Sequence, residues 1–108
     1  MKRIRVLRTD LVQDYLHLTS KDSKIIELVA DRAERKAQEL LGRTFNDIEH
    51  EYRHIPSNII IACLMLAESA YRNWYKDTFD IPYVVPFLLK PYSKDKDEQD
   101  NRSEGSRP

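Results

Sequence analysis

The residues of this chain whose types and spacing best suit chemistry are His50, Glu51 and His54, which match the H-E-x-x-H pattern of zinc proteases. In such enzymes one helix brings both histidines to the metal, and the glutamate activates a zinc-bound water. Here the pattern is followed at once by the residue before Pro56, a position that is steered away from helical backbone angles. Residues 43–55 also have a weak alternating character around Ile48, His50 and Tyr52. We therefore predict a short strand or extended connection over residues 43–55. A zinc-dependent hydrolase built on these three residues stays as an alternative hypothesis.

Two other kinds of reactive side chain are present, and neither predicts a catalytic site. Cys63 is the single cysteine and has apolar neighbours, so we expect a buried, inert thiol. A lone cysteine also fits a reducing cytoplasm. The carboxylates of Asp95, Asp97 and Glu98 lie in a polar tail that cannot hold catalytic geometry. We therefore predict a protein that is not an enzyme and that binds no cofactor and no metal.

The basic residues Lys2, Arg3, Arg5 and Arg8 are interleaved with apolar residues. This pattern fits either a solvated arm or an arm that contacts phosphate or an acidic partner surface. Basic and acidic residues both number 18, so the formal net charge is zero. A dedicated nucleic-acid-binding protein of this size is normally basic, because phosphate neutralisation supplies much of its affinity. A small helical DNA-binding regulator is a second alternative hypothesis, although it would need a basic recognition helix.

The elements that position these residues are predicted to be helices. Only two glycines occur in 108 residues, whereas sandwiches and barrels need many tight turns. A short first helix is predicted over residues 10–16, with Thr9 as its N-cap. A long second helix is predicted to follow the capping-box pair Thr19 and Asp22 and to end at Gly42, which supplies a left-handed stop.

One stripe of the second helix is apolar. At 100° per residue this stripe comprises Ile25, Ile26, Val29, Ala30, Ala33, Ala37 and Leu40. The polar residues that fall opposite are Glu27, Asp31, Glu34, Arg35, Gln38 and Glu39. Asp31 and Arg35 are four residues apart with the acid first, which is the favourable order for an ion pair. Leu28 lies off the stripe and is predicted to be exposed.

A third helix is predicted from Pro56, whose ring suits the first turn of a helix, to about residue 75. Its broad apolar face comprises Ile59, Ile60, Cys63, Leu64, Ala67, Ala70, Tyr71 and Trp74. Ile61 and Met65 lie on the other side, so this helix must be covered on both sides. Either the fold covers both sides, or a neighbouring subunit covers one of them. We predict Leu28, Ile61 and Met65 as subunit-interface residues.

The C-terminal part of the sequence changes abruptly in composition. Residues 86–90 are predicted to form one or two helical turns that end at Pro91. Residues 93–108 have no apolar side chain apart from the last proline ring, so a disordered polar tail is predicted. That tail either only solubilises the protein or orders against a partner. The predicted fold class is all-α, a small bundle of about four helices, two long and two short, over residues 1–92, with the disordered C-terminal tail.

Three segments, in this order, carry a family resemblance. Residues 10–18 (DLVQDYLHL) and 20–26 (SKDSKII) look like a short helix and the start of a long one. Residues 40–45 (LLGRTF) form a helix exit that precedes the proline-led apolar helix, and residues 85–92 (VPFLLKPY) form a terminal box of proline, aromatic and leucine residues. Together they resemble the head–tail connector family of long-tailed double-stranded-DNA phages, also called adaptor or head-completion proteins.

The resemblance, which spans residues 10–92, implies an all-α virion protein of the head–tail junction, present in the host cytoplasm during assembly. It implies a homo-oligomeric ring of about a dozen subunits beneath the portal protein. Such a ring extends the DNA channel, lets double-stranded DNA pass without specific contacts, and completes the head for the downstream head-completion or tail protein. It implies no catalysis and no cofactor. No membrane contact is expected, because the longest apolar run, residues 59–67, is far too short to span a bilayer.

Overall fold

The computed structural model of the chain describes residues 6–17, 23–73, 76 and 78–93, and these residues form an all-α fold. They contain five α-helices, one short 3-10 helix and no strand. The helices are α1 (Thr9–Tyr15), α2 (Ser23–Leu41), α3 (Phe45–Tyr52), α4 (Ser57–Arg72) and α5 (Val84–Leu89), followed by the 3-10 helix (Lys90–Tyr92). The predicted all-α fold class is confirmed. None of the helices in these ranges is long and apolar enough to cross a membrane.

The core of the bundle is the contact between α2 and α4. The fully buried stripe of α2 is dominated by short side chains, which let α4 approach its backbone closely; it comprises Ile26, Val29, Ala30, Ala33 and Ala37. The residues of α4 that are fully buried are Ile59, Ala62, Cys63, Leu66, Ala67 and Ala70. α1 packs on α2, and α5 packs on α4. Gly42 follows α2 in the left-handed conformation, with φ 69°, as predicted.

The start of α1 differs from the prediction. The helix begins at Thr9 itself, and the preceding Arg8 is extended and makes no side-chain capping hydrogen bond. Thr9 is therefore not the N-cap. Asp10 places a carboxylate in the first turn instead, where it interacts favourably with the positive end of the helix dipole. The predicted capping pair Thr19 and Asp22 lies outside the described residues.

The prediction of a strand or extended connection over residues 43–55 was wrong, because this segment contains α3. The side-chain oxygen of Thr44 caps the helix by accepting the backbone N–H of Asp47 at 3.1 Å. The helix ends at Arg53, which adopts the left-handed conformation with φ 70° and donates its N–H to the carbonyl oxygen of Glu49 at 2.8 Å. Both ends of α3 are thus held by local hydrogen bonds.

The error has a physical reason. The alternation of Ile48, His50 and Tyr52 was interpreted as the period of a strand. The structure follows the three-residue spacing of Phe45 and Ile48 instead, which places both side chains on one face of a helix and buries them in the core. An eight-residue helix is too short to be stable alone, so this burial stabilises it.

Glu34, predicted to lie on the polar side of α2, is fully buried. Its Oε2 accepts the backbone N–H of Val6 at 2.9 Å and the backbone N–H of Leu7 at 2.6 Å. The Leu7 side chain is buried beside it. The segment that precedes α1 therefore crosses α2 at this carboxylate and removes it from solvent.

The C-terminal elements are shifted slightly from their predicted positions. α4 begins one residue after Pro56 and ends at Arg72, short of residue 75. The short final helix is confirmed. Pro91 does not end the helical backbone, which continues as the 3-10 helix. Proline is tolerated there because the first residues of a helical turn need no N–H partner. Residues 94–108, which are nearly all of the predicted disordered tail, lie outside the described residues.

Candidate functional site

The motif residues His50, Glu51 and His54 do not share one helical face. The first two lie in the last turn of α3, whereas His54 comes after the left-handed Arg53. Two histidines four residues apart reach one metal only if the helix continues through both. Glu51 instead forms an ion pair with Arg43, at 2.6 Å. Across residues 6–17, 23–73, 76 and 78–93, no three His, Cys, Asp or Glu side chains are grouped so that they could hold a metal ion.

Cys63 lies on α4 in the core and is fully buried, as predicted. Burial raises the pKa of the Cys63 thiol far above its ordinary value, and the negative charge of Glu34 raises it further. Because the thiolate is the reactive species, a thiol that stays protonated is a poor nucleophile and a poor metal ligand.

We expect the buried thiol to make the fold sensitive to alkaline pH. Unfolding returns the Cys63 pKa to about 8.5. Above that pH the unfolded chain binds fewer protons than the folded chain, so the free energy of unfolding falls as pH rises. This contribution to stability is fully present below about pH 8.5 and is lost toward the raised folded pKa, at up to about 1.4 kcal/mol per pH unit.

Urea unfolding at neutral and alkaline pH measures this effect in the wild type and in the Cys63→Ala variant. The variant should lose less stability between the two pH values. Its free energy of unfolding at neutral pH should already be lower than that of the wild type, because a small cavity remains. Equal losses in both proteins would contradict the assignment to Cys63.

Two of the predicted interface residues are exposed, Leu28 to 44% and Ile61 to 46%, whereas Met65 is partly buried against the core. Leu28 is two residues after the buried Ile26, and Ile61 is two residues after the buried Ile59, so each lies about 200° around its helix from a buried side chain. Because the two buried stripes pack against each other, the outer side of α2 and the outer side of α4 face away from each other.

The outer side of α2 carries charges of both signs around Leu28, including the exposed Glu27 next to it. The charged residues one or two turns from Leu28 along the helix are Lys24, Asp31, Arg32 and Arg35. Arg35 forms the predicted ion pair with Asp31, at 3.3 Å. The Arg32 guanidinium lies over the Phe79 ring, 5.1 Å from its centroid. We call these four charged residues together with Leu28 the Leu28 surface.

An open groove of about 250 Å³ lies beside the outer side of α4. Its lining residues are Met65, Glu68, Ser69, Arg72, Asn73, Asp80 and Pro82. The Ser69 hydroxyl donates a hydrogen bond to the Asp80 carbonyl oxygen at 2.5 Å, which holds the second wall of the groove against α4. Glu68 and Arg72 form an ion pair at 3.3 Å. We call this feature the α4 groove; Ile61 lies one turn before Met65, beside it.

An exposed aromatic pair at the start of α5, Tyr83 just before the helix and Phe87 within it, was not predicted from the sequence. Tyr83 is 85% exposed and Phe87 is 69% exposed. They are four residues apart and therefore lie on one side of the helix, out of phase with the buried Val85 and Leu89. This spacing is the signal in the sequence, but Tyr83 lies outside the helical turns predicted over residues 86–90.

Of the basic residues predicted to contact phosphate or a partner, Lys2, Arg3 and Arg5 lie outside the described residues. Arg8 is exposed, and its Nη2 lies 3.4 Å from Oδ2 of Asp10. An exposed ion pair of this kind contributes little to stability. The structure therefore places Arg8 beside an acid of its own chain.

The prominent features of the described residues are exposed apolar side chains on α2, α4 and α5. Contiguous exposed apolar groups, here Tyr83 and Phe87, often mark sites of protein–protein interaction. Comparisons of the chain with known protein families, with curated proteins and with solved structures found no match.

Proposed function

We propose that this protein is a structural subunit of a tailed-phage head–tail connector, which forms a homo-oligomeric ring between the portal protein and the tail. The observation that supports this proposal best is the placement of Leu28 and Ile61 on outer sides that face away from each other. A closed ring needs two different contact surfaces on every subunit, because each copy touches one neighbour with each surface. The two outer sides meet this need.

The segments that resemble the connector family fall on elements of the fold. Residues 10–18 include most of α1, residues 40–45 contain the left-handed exit of α2 at Gly42, and residues 85–92 comprise most of α5 and the 3-10 helix. The all-α fold therefore agrees with what the resemblance implies. This agreement between fold and resemblance is a second support for the proposal.

Charge and the remaining apolar surface also fit the proposed role. A formal net charge of zero suits a ring through which DNA slides, whereas tight binding would need excess positive charge. Tyr83, just before α5, and Phe87, on α5, are exposed, so they stay available to the neighbours along the channel. We assign this pair, with residues 94–108, to contacts with the portal or with the next head-completion protein.

The self-assembly that the proposal requires is tested by the mass of the purified protein. We expect the wild type to form rings of about a dozen copies, visible by native mass spectrometry and electron microscopy. Ile61→Asp should give monomers or short oligomers, because burying an aspartate in an apolar contact costs several kcal/mol at every subunit boundary. His50→Asp is the matched control, since it adds an acid at an exposed position of α3 and should leave the rings intact.

Two outcomes would contradict the proposal. If the wild-type protein stays a compact monomer at high concentration, the proposed ring is wrong. Purified rings can also be added to portal-bearing heads that lack this protein. If the rings fail to restore tail attachment, the proposed connector role is wrong. Far-UV circular dichroism checks that each variant keeps its helices.

A further inference from the structure

We propose that residues 1–5 are a basic arm that contacts the phosphate backbone of double-stranded DNA. The structure shows what holds the residues that follow this arm, namely the buried carboxylate of Glu34. The choice of DNA as the polyanion rests on the proposed function, in which DNA passes through the ring. The inference adds a DNA contact that ring formation alone does not require.

The charge of the chain is unevenly distributed along the sequence. Lys2, Arg3 and Arg5 give residues 1–5 a formal side-chain charge of +3, with no acid among them. Residues 6–108 contain 18 − 3 = 15 basic residues and 18 acidic ones, so their formal charge is 15 − 18 = −3. The net charge of zero is therefore the sum of a basic N-terminus and an acidic remainder.

The basic residues of the arm also differ from the others in their local partners. The basic residues that form ion pairs within the chain are Arg8, Arg35, Lys36, Arg43 and Arg72. By contrast, no acid lies within four positions of Lys2, Arg3 or Arg5 in the sequence. The sequence thus gives these three charges no neighbouring acid, and an external polyanion can neutralise them. Arg8 is not counted with the arm, because Asp10 lies beside it.

Glu34 fixes the point at which the arm joins the fold. Its Oε2 accepts the backbone N–H groups of Val6 and Leu7, and the Leu7 side chain is fully buried. A buried carboxylate is costly unless hydrogen bonds compensate for its lost hydration, whereas an apolar residue at position 34 would suffice to pack Leu7. The carboxylate provides what apolar packing does not, because it holds two successive backbone N–H groups directly after Arg5.

This attachment keeps the three charges of the arm near one point of each subunit, since five extended residues span at most about 17 Å. A DNA duplex carries one negative charge per about 1.7 Å of its axis, so several phosphates lie within the same span. Residues 1–8 contain no Asn or Gln, the amide side chains that pair with the edge of adenine. We therefore expect phosphate contacts without sequence preference, which suit DNA that slides through a ring.

Fluorescence anisotropy with a short labelled duplex of arbitrary sequence tests the contact. The triple variant Lys2→Gln, Arg3→Gln, Arg5→Gln should bind at least about tenfold more weakly than the wild type at low salt. A plot of log affinity against log salt concentration should also be shallower in the variant, by about 2.7 for each bound subunit, because each phosphate contact contributes about 0.9 to the slope. An unchanged affinity and slope would overturn the proposal.

A second triple variant controls for net charge. Lys24→Gln, Arg53→Gln and Lys90→Gln remove the same total charge from exposed positions on the Leu28 surface, at the end of α3 and in the 3-10 helix. This control should keep most of the wild-type affinity and slope. If it weakens DNA binding as much as the arm variant does, the attraction comes from net charge and not from the arm.

Urea unfolding separates a contact with DNA from a role in the fold. Lys2, Arg3 and Arg5 precede the two N–H groups that Glu34 holds, so the arm variant should unfold at the same urea concentration as the wild type. A loss of stability as large as that of Glu34→Ala would show that these residues belong to the fold, and the proposal would be wrong.

An acidic protein surface is the other acceptor that a basic arm could contact, and polyglutamate is the probe for it. Polyglutamate at the same concentration of negative charge should compete poorly with the duplex, because binding to the duplex releases its condensed counterions. Displacement of the duplex by equal charge would overturn DNA as the partner. If rings form while DNA binding does not depend on residues 2, 3 and 5, the arm contact is wrong and the proposed ring stands. If the wild type is monomeric yet binds DNA through these residues, the ring is wrong and the DNA contact stands.

Discussion

Replacing Glu34 by alanine is expected to lower the free energy of unfolding by about 3 kcal/mol, a large part of the stability of a small domain. The Glu34 carboxylate accepts the backbone N–H groups of Val6 and Leu7 at 2.9 and 2.6 Å, and it does so in the interior. Without it, these N–H groups lose a charged acceptor, and a hydrogen bond to a charged group contributes about 1.5–3 kcal/mol. The alanine also leaves a cavity beside Leu7.

Urea unfolding measures this loss, and Glu27→Ala is the matched control. Glu27 is a glutamate on the same helix but exposed, so its replacement should change stability by less than about 0.5 kcal/mol. Glu34→Gln keeps one carbonyl acceptor and should fall between the two. Limited proteolysis adds a local readout, since the segment before α1 should be cut faster in Glu34→Ala. If Glu34→Ala and Glu27→Ala unfold alike, the carboxylate does not hold this segment.

The parts of this fold that could be predicted are the helices whose apolar residues repeat regularly in the sequence. The alanine-rich stripe of α2 and the apolar face of α4 repeat at helical spacing over many residues, so the two core helices and the exposure of Leu28 and Ile61 follow from local pattern. The stop at Gly42 follows for a related reason, because a glycine beyond a periodic segment supplies the left-handed residue that ends it.

Glu34 could not be predicted because its environment is made by residues far away in the sequence. A helical wheel shows where a side chain points, but not what lies over it. Here the segment at Val6 and Leu7, 27 and more residues earlier, covers the edge of the stripe and supplies two N–H donors.

The candidate surfaces also include features that could be predicted from the local sequence and features that could not. The exposure of Leu28 on α2 and of Ile61 on α4 is a local property that follows from the helical pattern, whereas Met65 is partly buried and Glu34 is fully buried. The α4 groove was not predictable, because its second wall, Asp80 and Pro82, is placed by the turn after α4 and held there by Ser69. The aromatic pair Tyr83 and Phe87 was within reach of the sequence, since a spacing of four residues is a helical signal.

The helix α3 gives the second large expected effect: Phe45→Ala should destabilise the protein by about 4 kcal/mol, near the cost of removing a buried phenylalanine from a core. If residues 43–55 formed the predicted extended connection, Phe45 would lie on the surface and Phe45→Ala would have little effect. Phe45 is 1% exposed, so its side chain lies in the core. Its backbone N–H, the first of α3, donates to Oε1 of Gln38 at 2.9 Å and holds the start of the helix against α2.

A pair of changes at Glu49 separates the loss of the ring from the loss of the helix. Glu49 is exposed and lies inside α3, so Glu49→Ala should leave stability nearly unchanged, whereas Glu49→Pro should cost about 3 kcal/mol through lost backbone hydrogen bonding and steric clash. Urea unfolding of the three variants, with circular dichroism for helix content, measures both effects. A proline at position 49 that is tolerated as well as alanine would show that residues 45–52 are not helical in solution. The loss expected for Phe45→Ala would then have no helix to explain it, and the left-handed Arg53 that separates His50 from His54 would lose its structural basis too.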